Sequence, residues 1–363
     1  MQLFNNLVKL CNDDGEKSPF YFVIQEMNSD RYAIFSYRFT DSDSWIKESA
    51  LESRGIMFEV DENDKPIRIA SRPMSKFFNQ GEIIPGITYS DPEFVMDKVD
   101  GSLISSYLTS KGLVKLKSKA SLHSDHAIAA MEYLEDNVGL RSFIQEMEKE
   151  GFTVNMEFVS PDPKFRIVVH YPKQKLVILN VRNRETGEYM HRDNYHSADK
   201  VEVLDLKVLD EIDDLVNSEG YVVVDNKGTW YKRKCPWYLE RHRAKDMVNQ
   251  PLSFVELVLK EEADDVKELM GDQPEVLEEM NVLEKKVIDK ANTIISVVTN
   301  YYNQNKDLSR KDYAINGQKE LSGYEFALAM MYYLKGEPNW KEFFIKKIKK
   351  IEWGVDLANK EEI

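Results

Sequence analysis

Two kinds of hydrophobic spacing divide the chain near residue 246. Before that point, short apolar runs recur between turn residues, and many of them alternate with polar positions, as half-buried antiparallel strands do. Between residues 124 and 150 the apolar residues follow helical spacing instead. We therefore predict an α+β region of antiparallel sheets and flanking helices. The predicted strands are 32–37, 67–70, 103–108, 113–117, 152–159, 167–169, 176–181 and 220–224.

After residue 246 the strand pattern fades, and Leu, Val, Ile and Met recur at intervals of three and four residues. This spacing predicts an all-helical domain. We expect two domains, 1–245 and 246–363, which agrees with a chain longer than a single core usually spans. The predicted helices are 252–270, 274–304, 321–335 and 339–352.

Composition limits the class of protein. The 363 residues carry 63 Asp and Glu against 49 Lys and Arg, a net charge of -14, which argues against a protein that coats nucleic acid through bulk charge. Cys11 and Cys235 are too few for a disulfide framework or a Cys-rich zinc site. The sequence shows no secretory leader and no membrane span, so we expect a soluble protein of the cytoplasm.

The segment Lys98-Val99-Asp100-Gly101 is the first candidate for chemistry. By itself such a tetrapeptide is a weak signal, and a β-turn after a short strand would explain it. The chemical alternative is that the Lys98 amine attacks the α-phosphorus of a nucleotide. That reaction needs cations around the phosphates and carboxylates that hold a divalent metal.

Cations and carboxylates of this kind flank Lys98 along the chain. Glu157 lies inside an apolar strand, an expensive place for a carboxylate unless it meets a cation or points to solvent. Glu219 precedes a glycine and could belong to an ordinary turn. The basic residues occur in short sequence segments upstream and downstream of Lys98. These segments contain Arg54, Lys76, Lys117, Lys119, Lys232, Arg233 and Lys234.

The order of these segments resembles the motif series of covalent nucleotidyltransferases, which include polynucleotide ligases and capping guanylyltransferases. Several flanking sequence segments are similar to those of the bacteriophage RNA ligase 1 family, among them 53–59, 69–74, 76–79 and 185–189. The resemblance runs from the N-terminus to about Tyr238 and continues faintly into the helical domain. Two positions differ from the usual family pattern: Val99 stands where an acidic residue is common, and Arg233 where an apolar one is.

The resemblance implies an ATP-dependent RNA ligase that uses Mg²⁺, or Mn²⁺ in its place. Lys98, within the motif that includes Gly101, would form lysyl-AMP, and the AMP would pass to an RNA 5′-phosphate before a 3′-hydroxyl displaces it. By motif match, Tyr37, Arg54, Lys76 and Lys119 would bind the phosphates and ribose. Leu179 and Val222 would enclose adenine, Lys232 and Lys234 would contact the α-phosphate, and Glu157 and Glu219 would serve the ribose and the metal.

The resemblance also implies a partner and a setting. The partner would be single-stranded RNA or a nicked tRNA with 5′-phosphate and 3′-hydroxyl ends, repaired by a monomer in the cytoplasm of an infected host. The helical domain would contribute tRNA specificity. Asp264, beside Asp265, would hold a second metal ion by analogy, although a solvated acidic helix face also explains this pair.

Three alternatives remain open at this point: a capping guanylyltransferase, a DNA ligase, and a non-enzymatic role in tail-fibre attachment. The RNA surface is open as well. Residues 228–245 interleave Lys and Arg with Trp230, Tyr231, Trp237 and Tyr238, a composition suited to stacking on single-stranded RNA. The same aromatic residues could instead pack a domain junction.

Overall fold

A computed structural model describes residues 2–13, 18–38, 40, 42–82, 84–197, 199–249, 251–270 and 273–354. The chain divides into two compact units, Met1–Leu239 and Glu240–Ile363. The domain boundary at residue 246 stays a prediction beside this division.

The first unit is built from three β-sheets and a few helices. Helix α4 (Pro236–Asn249) leads from it into the second unit. In chain order the other elements are α1 (Gln2–Asn12), β1 (Phe20–Met27), β2 (Asp30–Tyr37), β3 (Met57–Val60), β4 (Pro66–Ser71), β5 (Phe78–Asn79), β6 (Pro92–Asp97), β7 (Ser102–Leu108), β8 (Val114–Lys117), α2 (Asp125–Asp136), α3 (Val138–Lys149), β9 (Phe152–Val159), β10 (Lys175–Asn183), β11 (Val203–Leu204), β12 (Gly220–Asp225) and β13 (Trp230–Lys234).

The first sheet has the order β1-β2-β3-β4 and is antiparallel throughout. Helix α1 covers it because Phe4, Leu7 and Leu10 fall on one side of the helix and are buried. Phe4 meets the rings of Phe35 and Phe58 edge to face, with centroids 5.5 and 5.1 Å away. This core holds the strand that ends at Tyr37.

The second sheet, β10-β9-β7-β8, is also antiparallel and carries α2 and α3 against one face. The hydroxyl of Ser124 accepts the backbone N–H of Ala127 and caps α2. The sequence predicts helical spacing throughout 124–150, and the structure interrupts it at Asn137, where one helix ends and the next begins. The other face of this sheet carries Glu157 and Leu179 towards the candidate site.

The third sheet has the order β11-β6-β12-β13-β5. Strands β6, β12 and β13 are antiparallel neighbours, whereas β5 pairs with β13 in parallel. Lys98 directly follows β6, and Glu219 directly precedes β12. The sheet thus brings together Lys98 and Glu219, which are 121 residues apart in the sequence.

The second unit is helical in its described part, and its core includes Phe254, Met280, Val298 and Leu328. Among the described residues, no helix combines the length and the apolar character needed to cross a membrane. After α4 the helices are α5 (Pro251–Lys260), α6 (Ala263–Leu269), α7 (Pro274–Asn305), α8 (Arg310–Glu320), α9 (Gly323–Lys335) and α10 (Trp340–Lys347).

The predicted fold class, α+β with antiparallel sheets followed by helices, is confirmed. The predicted strand at 167–169 is wrong, because these residues form no strand. The backbone N–H groups of Val168 and Val169 donate instead to the Asp100 carboxylate, at 2.8 and 2.7 Å. Both valines are buried, which explains the apolar pattern without sheet pairing.

Candidate active site

Lys98 and Glu219 face each other because their strands are paired. Tyr221 lies opposite Asp97 in the β6–β12 register, and the Lys98 N–H donates to the Gly220 carbonyl oxygen at 2.9 Å. The Lys98 Nζ lies 2.6 Å from Glu219 Oε2. On the opposite side, Lys234 Nζ lies 2.9 Å from Glu219 Oε1. One carboxylate therefore holds two lysines that the sequence predicts to be at the reacting phosphate.

The Glu219 side chain is 4% exposed. Burial opposes its ionisation, but the Lys98 and Lys234 ammonium groups outweigh burial and lower the pKa of Glu219. The carboxylate is therefore charged and paired at neutral pH. This excludes the alternative that Glu219 is an ordinary turn residue exposed to solvent.

Two glycines allow the close backbone contacts that build the site. A Cβ on Gly220, whose φ is +119°, would lie 2.2 Å from the Arg233 carbonyl oxygen. A Cβ on Gly101 would lie 2.3 Å from the Phe158 carbonyl oxygen. Gly220 keeps β12 tight against β13, and Gly101 keeps the Lys98 loop tight against the strand that carries Glu157.

Asp100 anchors that loop. Besides the two N–H groups of Val168 and Val169, its carboxylate accepts the Tyr238 hydroxyl at 2.8 Å. The Asp100 N–H donates to the Tyr171 hydroxyl oxygen at 2.9 Å. Burial, followed by the nearby Glu219 charge, raises the pKa of Asp100. The hydrogen bonds that its carboxylate accepts from Val168, Val169 and Tyr238 oppose this rise. Asp100 therefore acts on the loop's shape and is turned away from the pocket beside Lys98.

A pocket beside Lys98 has a charged end and an apolar end. Lys98, Glu157, Arg54 and Lys232 supply the charges. The remaining lining residues are mostly apolar: Met74, Phe77, Met96, Val99, Leu179, Val201, Val222 and Trp230, with Asp97 beside them. Such a division suits a ligand with anionic phosphates at one end and a flat base at the other.

Glu157 lines the charged end of this pocket. Burial raises the pKa of Glu157 to about 8, and the positive charges of Lys98 and Arg54 only partly offset it. A freely solvated strand residue would show no such rise. The expectation that Glu157 shares a site with Lys98 therefore agrees with the geometry.

Leu179 reaches the pocket through a β-bulge. In the β9–β10 register Ile178 is opposite Met156 and Asn180 is opposite Asn155, which leaves Leu179 without a partner. A bulge re-aims the side chain of the extra residue. Val222, on the next sheet, lines the same pocket. The two residues predicted to enclose adenine thus line one pocket from two sheets.

Arg54 and Lys232 share the face of Phe77, with the guanidinium carbon 5.5 Å and the Lys232 Nζ 4.8 Å from the ring centroid. The Arg54 Nη1 is buried and has no hydrogen-bond partner among the described residues. Burial, and then the Arg54 charge, lower the pKa of Lys232 well below its ordinary value. An anion placed here would satisfy the unpaired donor and relieve the repulsion between the two cations.

Tyr37, Lys76 and Lys119 form a second group of candidate residues. Lys76 Nζ donates to the Tyr37 hydroxyl at 3.3 Å, and Lys119 Nζ lies 5.1 Å from the Tyr37 ring centroid. Burial raises the pKa of Tyr37, but Lys76, Arg54 and Lys119 outweigh burial and lower it. The two groups are therefore close enough to influence each other electrostatically.

Asp264 lies in the second unit. Its carboxylate pairs with Lys267 at 2.8 Å and is 88% exposed. The side chain of Asp265 lies outside the described residues. Within the described parts of the chain, no group of three or more His, Cys, Asp or Glu residues could hold a metal ion. The second metal site stays a prediction.

The aromatic residues of 228–245 mainly pack against other protein residues and do not form an exposed surface. Tyr231 and Tyr238 are each 2% exposed. Trp230 stacks on Tyr189 at 5.0 Å and lines the pocket. The expected stacking surface for RNA is therefore wrong for Tyr231 and Tyr238, because both rings are covered by protein.

Sequence reasoning missed several pocket residues, including Phe77, Met96 and Trp230. Phe77 lies beside Lys76 in the segment 76–79. The cations of Arg54 and Lys232 over its ring identify it as part of the site. A larger cleft of about 1130 Å³ shares Leu179, Val201 and Trp230 with the pocket. Its remaining lining comes mainly from the segment after β10, of which the sequence analysis singled out only 185–189.

Some proteins of known structure or sequence are similar to this chain. A curated protein of Thermovibrio ammonificans named "Putative RNA ligase" is 26% identical over an alignment of 251 residues that covers 63% of this chain. The match spans 62% of that relative's length. An archaeal ATP-dependent RNA ligase structure is 13% identical, with a TM-score of 0.48, over 75% of this chain and 76% of that one. A mutant Naegleria gruberi RNA ligase with ATP and Mn is 15% identical, with a TM-score of 0.31, over 67% of this chain and 83% of that one.

These sequence identities and TM-scores are too low to assign the chain to a family, so the assignment rests on the matches to family models. The model described as RNA ligase matches residues 52–238, which include Arg54, Lys98, Glu157, Glu219 and Lys232. The model of the T4 RNA ligase 1 C-terminal domain matches residues 245–352, the helical part. The two matches follow each other along most of the sequence, and the chain belongs to the T4 RNA ligase 1 family.

Proposed function

We propose that this protein is an ATP-dependent RNA ligase that joins a 5′-phosphate to a 3′-hydroxyl through lysyl-AMP and RNA-adenylate. The observation that carries the proposal is the pocket beside the paired Lys98 and Glu219, in which the buried Arg54 Nη1 has no hydrogen-bond partner among the residues that the structure describes. A nucleophilic amine, unsatisfied cationic donors and an apolar end are together the requirements of nucleotidyl transfer.

In the first step, Lys98 Nζ loses its ammonium proton to solvent and attacks the α-phosphorus of ATP, and it loses a second proton as the bond forms. A P–N bond forms, the α–β bridging P–O bond breaks, and pyrophosphate leaves. Glu219 orients the amine before attack, since it lies 2.6 Å away. Arg54 and Lys232, both lining the charged end of the pocket, would stabilise the charge that develops on the phosphates.

In the second step, a 5′-phosphate oxygen of RNA attacks the same phosphorus, the P–N bond breaks, and Lys98 Nζ takes up a proton and leaves as the amine. In the third, the 3′-hydroxyl attacks the RNA phosphorus, loses its proton and releases AMP. Lys234 pairs with the Glu219 oxygen that Lys98 does not contact, and it would contact the α-phosphate through both steps. Leu179 and Val222 would hold adenine throughout.

A divalent metal fits the donor set of this site. Glu157 and Glu219 offer carboxylate oxygens, the ligands that Mg²⁺ and Mn²⁺ prefer, and the raised pKa of Glu157 reflects a buried carboxyl that a cation would help to ionise. Such an ion supplies neutralisation of phosphate charge. The choice between Mg²⁺ and Mn²⁺ is part of the proposal.

The test is transfer of label from α-labelled ATP to the protein in the presence of Mg²⁺ or Mn²⁺. We expect an acid-labile, base-stable adduct that is absent in Lys98→Ala and retained in Lys111→Ala, a control in an exposed turn. No adduct, or an adduct that survives in Lys98→Ala, overturns the mechanism. A preference for GTP would favour a capping guanylyltransferase, and joining of nicked duplex DNA in preference to RNA would favour a DNA ligase.

We further propose that the substrate is a tRNA cut in its anticodon loop, repaired in an infected cell, and that the helical part of the chain contributes to this choice. The support is the match of residues 245–352 to the T4 RNA ligase 1 C-terminal domain. The intact protein should seal a nicked anticodon stem-loop faster than a linear oligonucleotide with the same ends. Equal rates would contradict the tRNA proposal and leave the ligase proposal standing.

A further inference from the structure

Lys117 is a buried lysine to which the mechanism above gives no role. It is the last residue of β8, and its side chain is 0% exposed. The Nζ donates to the Ser118 carbonyl oxygen at 2.9 Å and to the Lys119 carbonyl oxygen at 3.4 Å. No salt bridge joins it to a carboxylate of the described residues, and burial lowers its pKa to about 7.

A buried amine without a counter-charge is costly, and an apolar side chain of the same length would fill this space without the cost. The reason for an amine at this buried position therefore lies in the groups that it contacts. Both of its acceptors are backbone carbonyls of the segment that carries Lys119, so the contact fixes the path of that segment.

The same amine reaches the segment that carries Arg54. Gly55 has a φ of +93°, and a Cβ there would lie 3.3 Å from Lys117 Nζ and 2.3 Å from the Lys119 carbonyl oxygen. The Gly55 N–H donates to the Phe35 carbonyl oxygen at 2.9 Å, which holds the glycine in place. Gly55 and Lys119 are thus in direct backbone contact, with Lys117 Nζ beside the contact.

The two segments carry cations of the candidate site. Arg54 lines the pocket with its unpartnered Nη1, and Lys119 lies over the Tyr37 ring. A change of a few tenths of an ångström in the Gly55 contact would alter the distance between these two cations. Phosphate binding depends on such distances, because charge stabilisation requires donors held in advance.

We propose that Lys117 is a positioning residue, whose amine ties the Ser118–Lys119 backbone against Gly55 and so sets the spacing of Arg54 and Lys119 for the ATP phosphates. This inference rests on the proposed function. It concerns a residue behind the pocket wall, since Lys117 does not line the pocket itself.

The test compares Lys117→Met with Lys115→Met in the intact chain. Met keeps the length of the buried stem and removes the donors, while Lys115 lies on the same strand and is only partly buried. We expect Lys117→Met to lower the apparent second-order rate constant of lysyl-AMP formation at least tenfold, mainly through KM for ATP, and Lys115→Met to change it less than twofold. Unchanged kinetics in folded Lys117→Met would overturn the proposal.

A double-mutant comparison separates positioning from a general loss of stability. In a Lys119→Ala, Arg54→Ala background, adding Lys117→Met should have less than a twofold effect, because the cations through which it acts are gone. A full tenfold effect in that background would contradict the proposal. If Lys117→Met does not fold, Lys117→Arg takes its place; it keeps donors for both carbonyls and should stay within threefold of wild type, and a larger loss in that folded variant also overturns the proposal.

The result is distinguishable from failure of the proposed function. If wild-type protein forms no lysyl-AMP, the ligase mechanism fails. If wild type forms the adduct and Lys117→Met does so with the same KM, only the positioning role fails.

Discussion

The carboxylate of Glu219 bridges Lys98 and Lys234, with one oxygen 2.6 Å from the first amine and the other 2.9 Å from the second. The bridge joins the residue after β6 to the last residue of β13 through the residue before β12. It is at once part of the site and part of the sheet's packing. Changes to Glu219 should therefore be visible in both stability and reaction.

Glu219→Gln should destabilise the protein by about 2 kcal/mol at pH 7, because it leaves two lysines facing an amide. Both lysines retain some contact with water, which reduces the loss from the value for a fully buried pair. The pKa of Glu219 is lowered on folding, so its stabilising contribution is present above the unfolded value of 4.5 and is lost as the pH falls below it. Urea unfolding of both proteins at pH 7 and pH 4 checks this, and a difference that does not shrink at pH 4 would contradict it.

Glu157→Gln should have the opposite pH dependence. Folding raises the pKa of Glu157 from 4.5 to about 8, so the folded protein binds more protons than the unfolded chain between these values. In metal-free buffer, wild type should lose stability relative to Glu157→Gln as the pH rises from 4.5 to 8. Thermal unfolding along a pH series measures the difference. A constant difference across the series would mean that Glu157 is ionised at all of these pH values.

Tyr37 offers a spectroscopic signal of phosphate binding. Burial opposes ionisation, but Lys76, Arg54 and Lys119 lower the pKa of the phenol below its ordinary value of 10. ATP phosphates placed among these cations should raise that pKa, because they add negative charge nearby. Absorbance titration near 295 nm, with the Tyr37→Phe protein subtracted, should show ionisation shifting to higher pH when ATP is added. A pKa that ATP leaves unchanged would mean that the phosphates bind elsewhere.

Tyr238→Phe should slow lysyl-AMP formation several-fold while changing KM for ATP little. The hydroxyl donates to buried Asp100 at 2.8 Å, and its loss leaves the Lys98 loop with one anchor fewer. We expect a cost of about 1–2 kcal/mol in stability as well. Tyr171→Phe is the matched control, since its hydroxyl accepts the Asp100 N–H and does not meet the carboxylate. Equal effects in the two variants would show that the loop does not depend on the carboxylate contact.

Glu52 provides a test of the packing behind the site. Its carboxylate pairs with Arg72 at 3.1 Å and Arg182 at 2.7 Å, and the two arginine side chains are 9% and 5% exposed. Glu52→Gln should cost about 3 kcal/mol, because two buried cations lose their shared partner. Glu59→Gln, which removes the more exposed pair with Arg68, should cost at most about 1 kcal/mol. Equal losses in chemical denaturation would contradict the difference in burial.

The sequence predicted most of the sheet pattern but not how the sheets come together. Strands such as β9 and β10 are long and apolar, so their spacing is sufficient to identify them. Helix α8 was missed because its described buried residues are only Tyr313 and Gly317, too few for a periodic pattern. Strand β6 was missed although it leads directly to Lys98, because only Val95 and Met96 of its residues are buried.

In the candidate site, too, the sequence predicted some residues and missed others. Lys98, Glu157, Glu219 and Lys232 were identified because their motifs occur in a recognisable order, and they lie together. Phe77 was given no role, and Lys117 was counted only among the basic residues near the phosphates, because their contacts depend on distances between distant segments. The ring of Phe77 beneath two cations and the amine of Lys117 beside Gly55 appear only when the chain is folded.

The bulge at Leu179 has a consequence for how the proposed adenine-binding position could change during evolution. Because this residue has no partner across β9, its side chain can be replaced without disturbing a cross-strand pair. Val222 has no such freedom, since it is paired with Lys232 on one side and Met96 on the other. In the proposed adenine pocket, the residue on one side of the base can therefore change while the residue on the other side is held by the sheet.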